Sequence, residues 1–312
     1  MRNNRNSKIN KAEDKISETA HTQKADQKKK SKLFRILFLI LIIMILPGLY
    51  AGLTIQNYEL KDERIEGSVK IAMVSDLHSC AYGKAQKKLI DAIDAQLPDL
   101  ILLGGDIFDD KLSDRNTEEF LAGISGRYPC YYVTGNHECW SGRDNFRKKM
   151  EILQKYQITR LCGERDIITV NNSTITICGV DDPDISLVRD ADPDRRSSDF
   201  ETELSELGQS PNDYFTILLT HRPELFEKYV DKGYDLVLAG HAHGGQWRIP
   251  VILNGVYAPD QGLFPKYAGG KYVKNKTTMI VSRGLGREST PIPRIYNPPE
   301  LVIIQLTGFE KR

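Results

Sequence analysis

The twelve residues from Leu236 to Trp247 read LVLAGHAHGGQW. Four apolar residues run into a glycine, two histidines one residue apart and two further glycines. A short apolar run closed by glycine reads as a buried strand ending in a turn. The chain has six histidines, and two of them, His241 and His243, occupy this turn. His21 lies in the polar N-terminal segment. His78, His137 and His221 each follow an apolar run of the same kind, in VKIAMVSDLH, CYYVTGNHE and YFTILLTHRPE. Asp76, Asp106 (after DLILLGG) and Asn136 stand at equivalent places. Ligands in open α/β sheets bind at the carboxyl ends of strands. Five strands therefore deliver polar groups to one edge.

Between these runs lie helical patterns: Ala85, Leu89, Ile93 and Leu97 recur four apart, and further helices are expected over 118–124, 145–156 and 224–230. DIITVNNSTITICGV reads as two strands joined at an Asn-Asn-Ser turn. TTMIVSRGLG and ELVIIQLTG add strands. Strands alternating with helices indicate the α/β class. The stretch 181–210 is acidic and irregular and is expected to add nothing to the core.

The 312 residues suffice for one large domain, and a net charge of +1 gives no global field toward nucleic acid, so no nucleic-acid partner is expected. Five cysteines without a CxxC pair suggest neither a zinc ribbon nor a complete disulfide framework. Cys80 and Cys139, close to the histidine motifs, read as small buried side chains. Residues 1–32 are polar and basic and read as a disordered tail. Leu33–Leu53 is an apolar run of 21 residues, about 31 Å as a helix, which matches a bilayer core. Lysines crowd its N-terminal side, and Glu59, Asp62, Glu63 and Glu66 follow it. It is expected to be an uncleaved transmembrane anchor, with the tail in the cytoplasm and the remainder outside; a cleaved signal peptide is the alternative. Residues 54–68 read as a polar linker and 69–312 as the main domain.

Taken singly, each polar motif has an ordinary explanation: GGD is a turn, GNHE a hairpin turn, a lone histidine after a strand a capped residue. Together, at the same end of five strands, they indicate a metal site. Imidazole with carboxylate and amide oxygen suits Mn, Fe or Zn. The donors are too many for one four- to six-coordinate ion and suit two divalent metal ions about 3.5–4 Å apart with a carboxylate between them.

These residues resemble the calcineurin-like metallophosphoesterase superfamily, whose blocks D-x-H, G-D, G-N-H-[DE], a lone H and G-H-x-H all occur here in order as DLH, GD, GNHE, TH and GHAH. The resemblance runs from Val69 to the C-terminus. GHAHGGQ, SRGLG and NPPELVIIQL are similar to a membrane-anchored or exported subgroup that includes cell-envelope phosphoesterases and UDP-2,3-diacylglucosamine hydrolase-like enzymes. The resemblance implies a four-layer α/β/β/α sandwich. It implies a first metal held by Asp76, His78, Asp106 and His243, and a second held by Asp106, Asn136, His221 and His241. Asn136 and His137 would face the substrate phosphate; His137 would protonate the leaving oxygen and Glu138 would orient it. Arg283 in SRGLG is open to two roles, reaching a phosphate or holding its turn. The implied activity is hydrolysis of a phosphomonoester, phosphodiester or pyrophosphate bond by in-line attack of a metal-bridging hydroxide. The substrate would be a phosphate ester, lipid-linked or from the cell envelope. The rival readings are a non-catalytic metal-binding scaffold and a nuclease.

Overall fold

The computed structural model describes residues 27–309, apart from 28, 41, 44, 194–198, 210–212 and 288–291. The expected tail therefore lies outside the described residues as far as position 26. The chain divides into two compact units between Gly48 and Leu49. The first contains a helix over Lys29–Gly48, 20 residues long and apolar enough to cross a membrane by length and composition. It starts earlier than expected and ends at Gly48, not Leu53. Leu53 instead packs against the core of the second unit.

The linker expected over 54–68 is a correction. Thr54–Lys61 is a strand, β1. Its side chains alternate between half-buried and exposed, with Tyr58 and Leu60 turned to the core. Such an edge strand carries only every second residue as an apolar signal, so TIQNYELK reads as polar.

The remaining strands of the first sheet are β2 (Ser68–Val74), β3 (Leu100–Gly104), β4 (Cys130–Val133) and β5 (Thr159–Arg160). The second sheet takes β6 (Glu164–Val170), β7 (Ser173–Gly179), β8 (Phe215–Leu219) and β9 (Leu236–Ala239). A small hairpin, β10 (Tyr257–Ala258) and β11 (Gly262–Leu263), precedes β12 (Gly270–Lys274), β13 (Thr277–Val281) and β14 (Glu300–Thr307). The sheet orders are β1-β14-β2-β3-β4-β5 and β12-β13-β9-β8-β7-β6. The strands β2 to β5 run parallel, as do β7, β8, β9 and β13.

Parallel strands buried on both faces need apolar residues at every position, which is what IAMV and LILL supply. Ile71 and Met73 enter an apolar cluster shared with Ile177, Ile217 and Leu238 of the other sheet. Ala72 and Val74 face a cluster with the helical residues Leu89, Phe120 and Phe146. Leu218, Val237 and Met279 face Phe200, Phe226 and Tyr229 on the far side. The order is thus helices, sheet, sheet, helices. The β6–β7 hairpin turns through Asn171 and Asn172, both at positive φ, as a tight two-residue turn requires.

Two local expectations are corrected. The helix after β2 spans Lys87–Gln96, and Leu97 leaves it in a left-handed conformation and is exposed. The stretch 181–210 does contribute to the core: Asp199 caps a helix over Phe200–Leu207 by accepting from Thr202 N at 3.1 Å, and Phe200, Leu204 and Leu207 are buried.

Candidate metal centre

Each strand end releases one or two polar side chains into the same space. Asp76 and His78 follow β2, Asp106 follows β3, Asn136 and His137 follow β4, His221 follows β8, and His241 and His243 follow β9. All seven expected ligands are buried, while His137 is partly exposed. Asp76, His78, Asp106, His241 and His243 adopt positive φ between 46° and 65°. That conformation costs a non-glycine residue about 1–3 kcal/mol, and its concentration here marks a site built for something other than stability. Backbones also approach closely. A Cβ on Gly135 would lie 2.2 Å from Asp106 Oδ1, and one on Gly240 would lie 1.9 Å from Ser75 Oγ.

The donor atoms fall into two groups that share Asp106. Asp76, His78, Asp106 and His243 each place one ligand atom within 4.8 Å of the others, and Asp106, His221 and His241 do the same. Within them, Asp106 Oδ2 is 3.2 Å from His221 Nε2 and 3.6 Å from His78 Nε2, and Asp76 Oδ1 is 3.8 Å from His243 Nε2. Second partners engage one ring nitrogen of each of two histidines. His221 Nδ1 donates to Gly104 O at 2.8 Å, which leaves Nε2 as the nitrogen turned to Asp106. His241 Nε2 lies 2.9 Å from Asp260 Oδ2 and 3.1 Å from Arg222 Nη1, and its Nδ1 is left without a hydrogen-bond partner.

Whether this set fits a metal is decided by what is left over. His78 Nε2, Asp106 Oδ2, Asn136 Oδ1, His221 Nε2 and His241 Nδ1 are buried without a hydrogen-bond partner. An orphaned buried polar atom costs about 1–3 kcal/mol, and five of them on one cluster fit a cation that takes their lone pairs. Burial alone would raise the Asp106 carboxyl; the His221 and His137 imidazoles outweigh it and hold it well below the usual carboxylate range. Asp106 is thus the carboxylate common to both groups.

His137 stands beside these groups, its ring 4.4 Å from that of His78 and 5.0 Å from Trp140. Its Nδ1 lies 2.7 Å from Asp110 Oδ1. The expectation that Glu138 orients it is corrected. Glu138 is fully buried and accepts from Asp106 N (3.0 Å), Gly135 N (2.8 Å) and Phe108 N (2.9 Å). It clamps the β3 and β4 turns together, its oxygens committed to these three backbone amides. Burial and the neighbouring Asp106 push its carboxyl up to about 7. Arg283 holds its turn: Nε donates to Glu300 Oε2 at 2.5 Å and its backbone N to Oε1 at 2.7 Å. Cys80 and Cys139 are buried.

Several residues of the site carry no local motif. Asp109 Oδ2 lies 3.3 Å from His78 Nδ1, and its Oδ1 accepts from Lys111 N and Leu112 N. Arg222 joins Asp182, Asp184 and Asp260 and approaches His241 Nε2 at 3.1 Å. Arg294 donates to Arg283 O at 2.6 Å and lies 3.5 Å from His243 Nδ1. Among the described residues no carboxylate pairs with it, unlike Arg64, Arg160, Arg222 and Arg283. The doubled aspartate after Asp106 was a usable signal for Asp109 and Asp110. Asp260 and Arg294 reach the site only through tertiary contacts.

The model of the calcineurin-like phosphoesterase family matches residues 69–245, more than half of the chain. An uncharacterized metallophosphoesterase of Aquifex aeolicus is 28% identical over 280 residues, covering 86% of this chain and 99% of its own length. Phosphodiesterase YaeI of Escherichia coli is 28% identical over 242 residues, covering 76% of this chain and 82% of its own. A dimetal phosphatase of Danio rerio aligns in structure with a TM-score of 0.42 and 12% identity, over 70% of this chain and 88% of that one. The matched region opens at the strand that delivers Asp76 and closes two residues past His243, so it takes in every expected ligand: the chain belongs to the calcineurin-like phosphoesterase family of metal-dependent hydrolases.

Proposed function

We propose that the chain is a membrane-anchored phosphoesterase working with two divalent ions, Mn, Fe or Zn. Asp76, His78, Asp106 and His243 hold one, and Asp106, Asn136, His221 and His241 the other. The observation that carries this is the pair of donor groups joined at Asp106, with buried unpartnered atoms turned into the same space. Ions bound there supply Lewis-acid activation of a phosphoryl oxygen and of water at neutral pH. The protein side of the reaction is positional. Asn136 and His137, at the start of the helix after β4, face the ester, and His137 protonates the leaving oxygen while Asp110 holds its Nδ1. Arg294, paired with no carboxylate among the described residues, binds a phosphate oxygen beside His243.

The substrate is a phosphate ester of the membrane or cell envelope, and the relative named as a phosphodiesterase makes diesters the first to test. Anchoring rests on the apolar helix Lys29–Gly48 and the lysines that open it; on that basis the catalytic unit lies outside the cytoplasm. Only residues 49–53 separate that helix from β1. The test is a screen of the purified chain against mono-, di- and pyrophosphate esters with Mn, Fe and Zn supplied separately. Absence of turnover in every combination, with metal bound, would favour the scaffold reading instead.

A further inference from the structure

The turn after the GHAHGG loop presents an apolar surface that the fold does not use. Residues 249–253 read IPVIL, five consecutive apolar residues. Ile249 and Leu253 close the turn by exchanging backbone hydrogen bonds at 3.0 and 2.8 Å. Val251 at its tip is fully exposed and Ile252 is 80% exposed. Val251 also sits at φ 69°, a left-handed conformation that a β-branched residue adopts only under strain. Leu263 and Phe264, 68% and 67% exposed, belong to the same loop, and Phe264 N donates to Val256 O at 2.8 Å. A soluble domain gains nothing from such a run, which marks an interaction surface.

The loop around it carries Arg248, Asp260 and Lys266, and Asp260 is paired with Arg222. Residues 247–259 contain Arg248 and no acidic side chain. Arg248 and Arg283 line a cleft of about 460 Å³ together with Ile249, Pro250 and Ile252. Among the described residues Arg248 pairs with no carboxylate; its guanidinium donates to Asn254 Oδ1. The turn is rooted on the candidate metal centre, because Val256 N donates to Gly245 O and Trp247 O, both at 2.9 Å.

We infer that this turn is a foot that enters the bilayer interface, with Val251, Ile252 and Phe264 among the acyl chains and Arg248 at the level of the lipid phosphates. An apolar tip beneath a cationic cleft complements a lipid surface, apolar inside and anionic at its face. The exposed Trp247 and Tyr257 on the same loop suit that boundary. A second copy of the chain would instead have to offer carboxylates to Arg248. Docking sets the centre against headgroup-level phosphates, and this consequence rests on the phosphoesterase reading above.

The test uses the full chain in vesicles of phosphatidylcholine with or without phosphatidylglycerol. All five native cysteines are buried, so Val251→Cys accepts a fluorescent label selectively, and Leu97→Cys, exposed at a helix end, serves as control. The label at 251 should be quenched by nitroxide-bearing lipids, more strongly with phosphatidylglycerol, and shielded from aqueous iodide, while that at 97 behaves oppositely. Equal iodide access at both positions overturns the proposal. So does shielding that grows with protein concentration at fixed lipid, which would mean a second copy covers the turn. In a second arm, Ile252→Asp should lower turnover of a vesicle-borne phosphodiester roughly tenfold, the factor for about 1.4 kcal/mol. Its turnover of soluble bis(p-nitrophenyl) phosphate should be unchanged. Equal effects on the two esters contradict the foot. Failure of the unaltered chain on both esters defeats the phosphoesterase reading alone, and the quenching then decides the docking.

Discussion

Replacing Asp110 separates the orientation of His137 from the binding of metal. Asp110 Oδ1 lies 2.7 Å from His137 Nδ1, and the two side chains are only 13% and 17% exposed, so solvent screens the contact little. Asp109 is no substitute, since it lies 3.7 Å from the same nitrogen and is committed to His78 and to two backbone amides. If His137 gives up a proton from Nε2, the carboxylate keeps Nδ1 protonated and the ring aimed. A hydrogen bond to a charged group is worth about 1.5–3 kcal/mol, which converts to a fall in kcat of roughly 10- to 160-fold for Asp110→Ala. Asp110→Asn keeps an acceptor oxygen and loses the charge. Since charge roughly doubles such a bond, about half the energy should go, a fall of roughly 4- to 13-fold. The assay is initial rates on aryl phosphodiesters of graded leaving-group acidity, with metal content measured on the same samples. The deficit should grow as the leaving group becomes poorer, and metal content should stay at the wild-type level. A deficit independent of the leaving group, or loss of metal in Asp110→Ala, would refute the reasoning.

Other outcomes follow from the same geometry. Glu138→Gln sets an amide N–H against one of three backbone donors, so stability should fall by about 1–3 kcal/mol in urea denaturation, with leaving-group dependence unchanged. Arg294→Ala should lower kcat/KM roughly 10- to 160-fold and weaken inhibition by inorganic phosphate while metal stays bound; undiminished phosphate inhibition would remove Arg294 from the substrate site. The native thiols should resist Ellman's reagent at pH 8 and all five should react after unfolding, because burial pushes Cys130 up to about 12 and Cys139 well above its ordinary value, leaving little of the reactive thiolate.

How far the site was legible in the sequence depended on whether a residue's role travels with its strand. Asp76, His78, Asp106, Asn136, His221, His241 and His243 each directly follow an apolar run. Parallel strands carry those ends to one edge, so position in the chain predicted position in space. Glu138 was misread because adjacency to His137 suggested contact; on a helix start, neighbouring side chains point apart, and Glu138 turns back to cap Gly135 N. Asp260 and Arg294 lie in irregular segments whose path is set by tertiary hydrogen bonds, which no local pattern encodes. The first strand was hidden for another reason: β1 lies at a sheet edge and takes all of its strand pairing from β14, whose Glu300 stands opposite Thr54. The helix Phe200–Leu207 was obscured by the acidic residues around it, although Glu203 is itself buried and accepts from Asp181 N.

The central claim is that two ions share Asp106, and elemental analysis of the purified chain beside Asp106→Ala and His137→Ala tests it most directly. Two ions per chain are predicted for the native protein and for His137→Ala, with rate lost in the latter by on the order of 10²-fold. Asp106→Ala should lose metal from both groups and should be the most damaging of the ligand changes. A firm value of one ion per chain at full activity, or two ions retained in Asp106→Ala, would contradict the account.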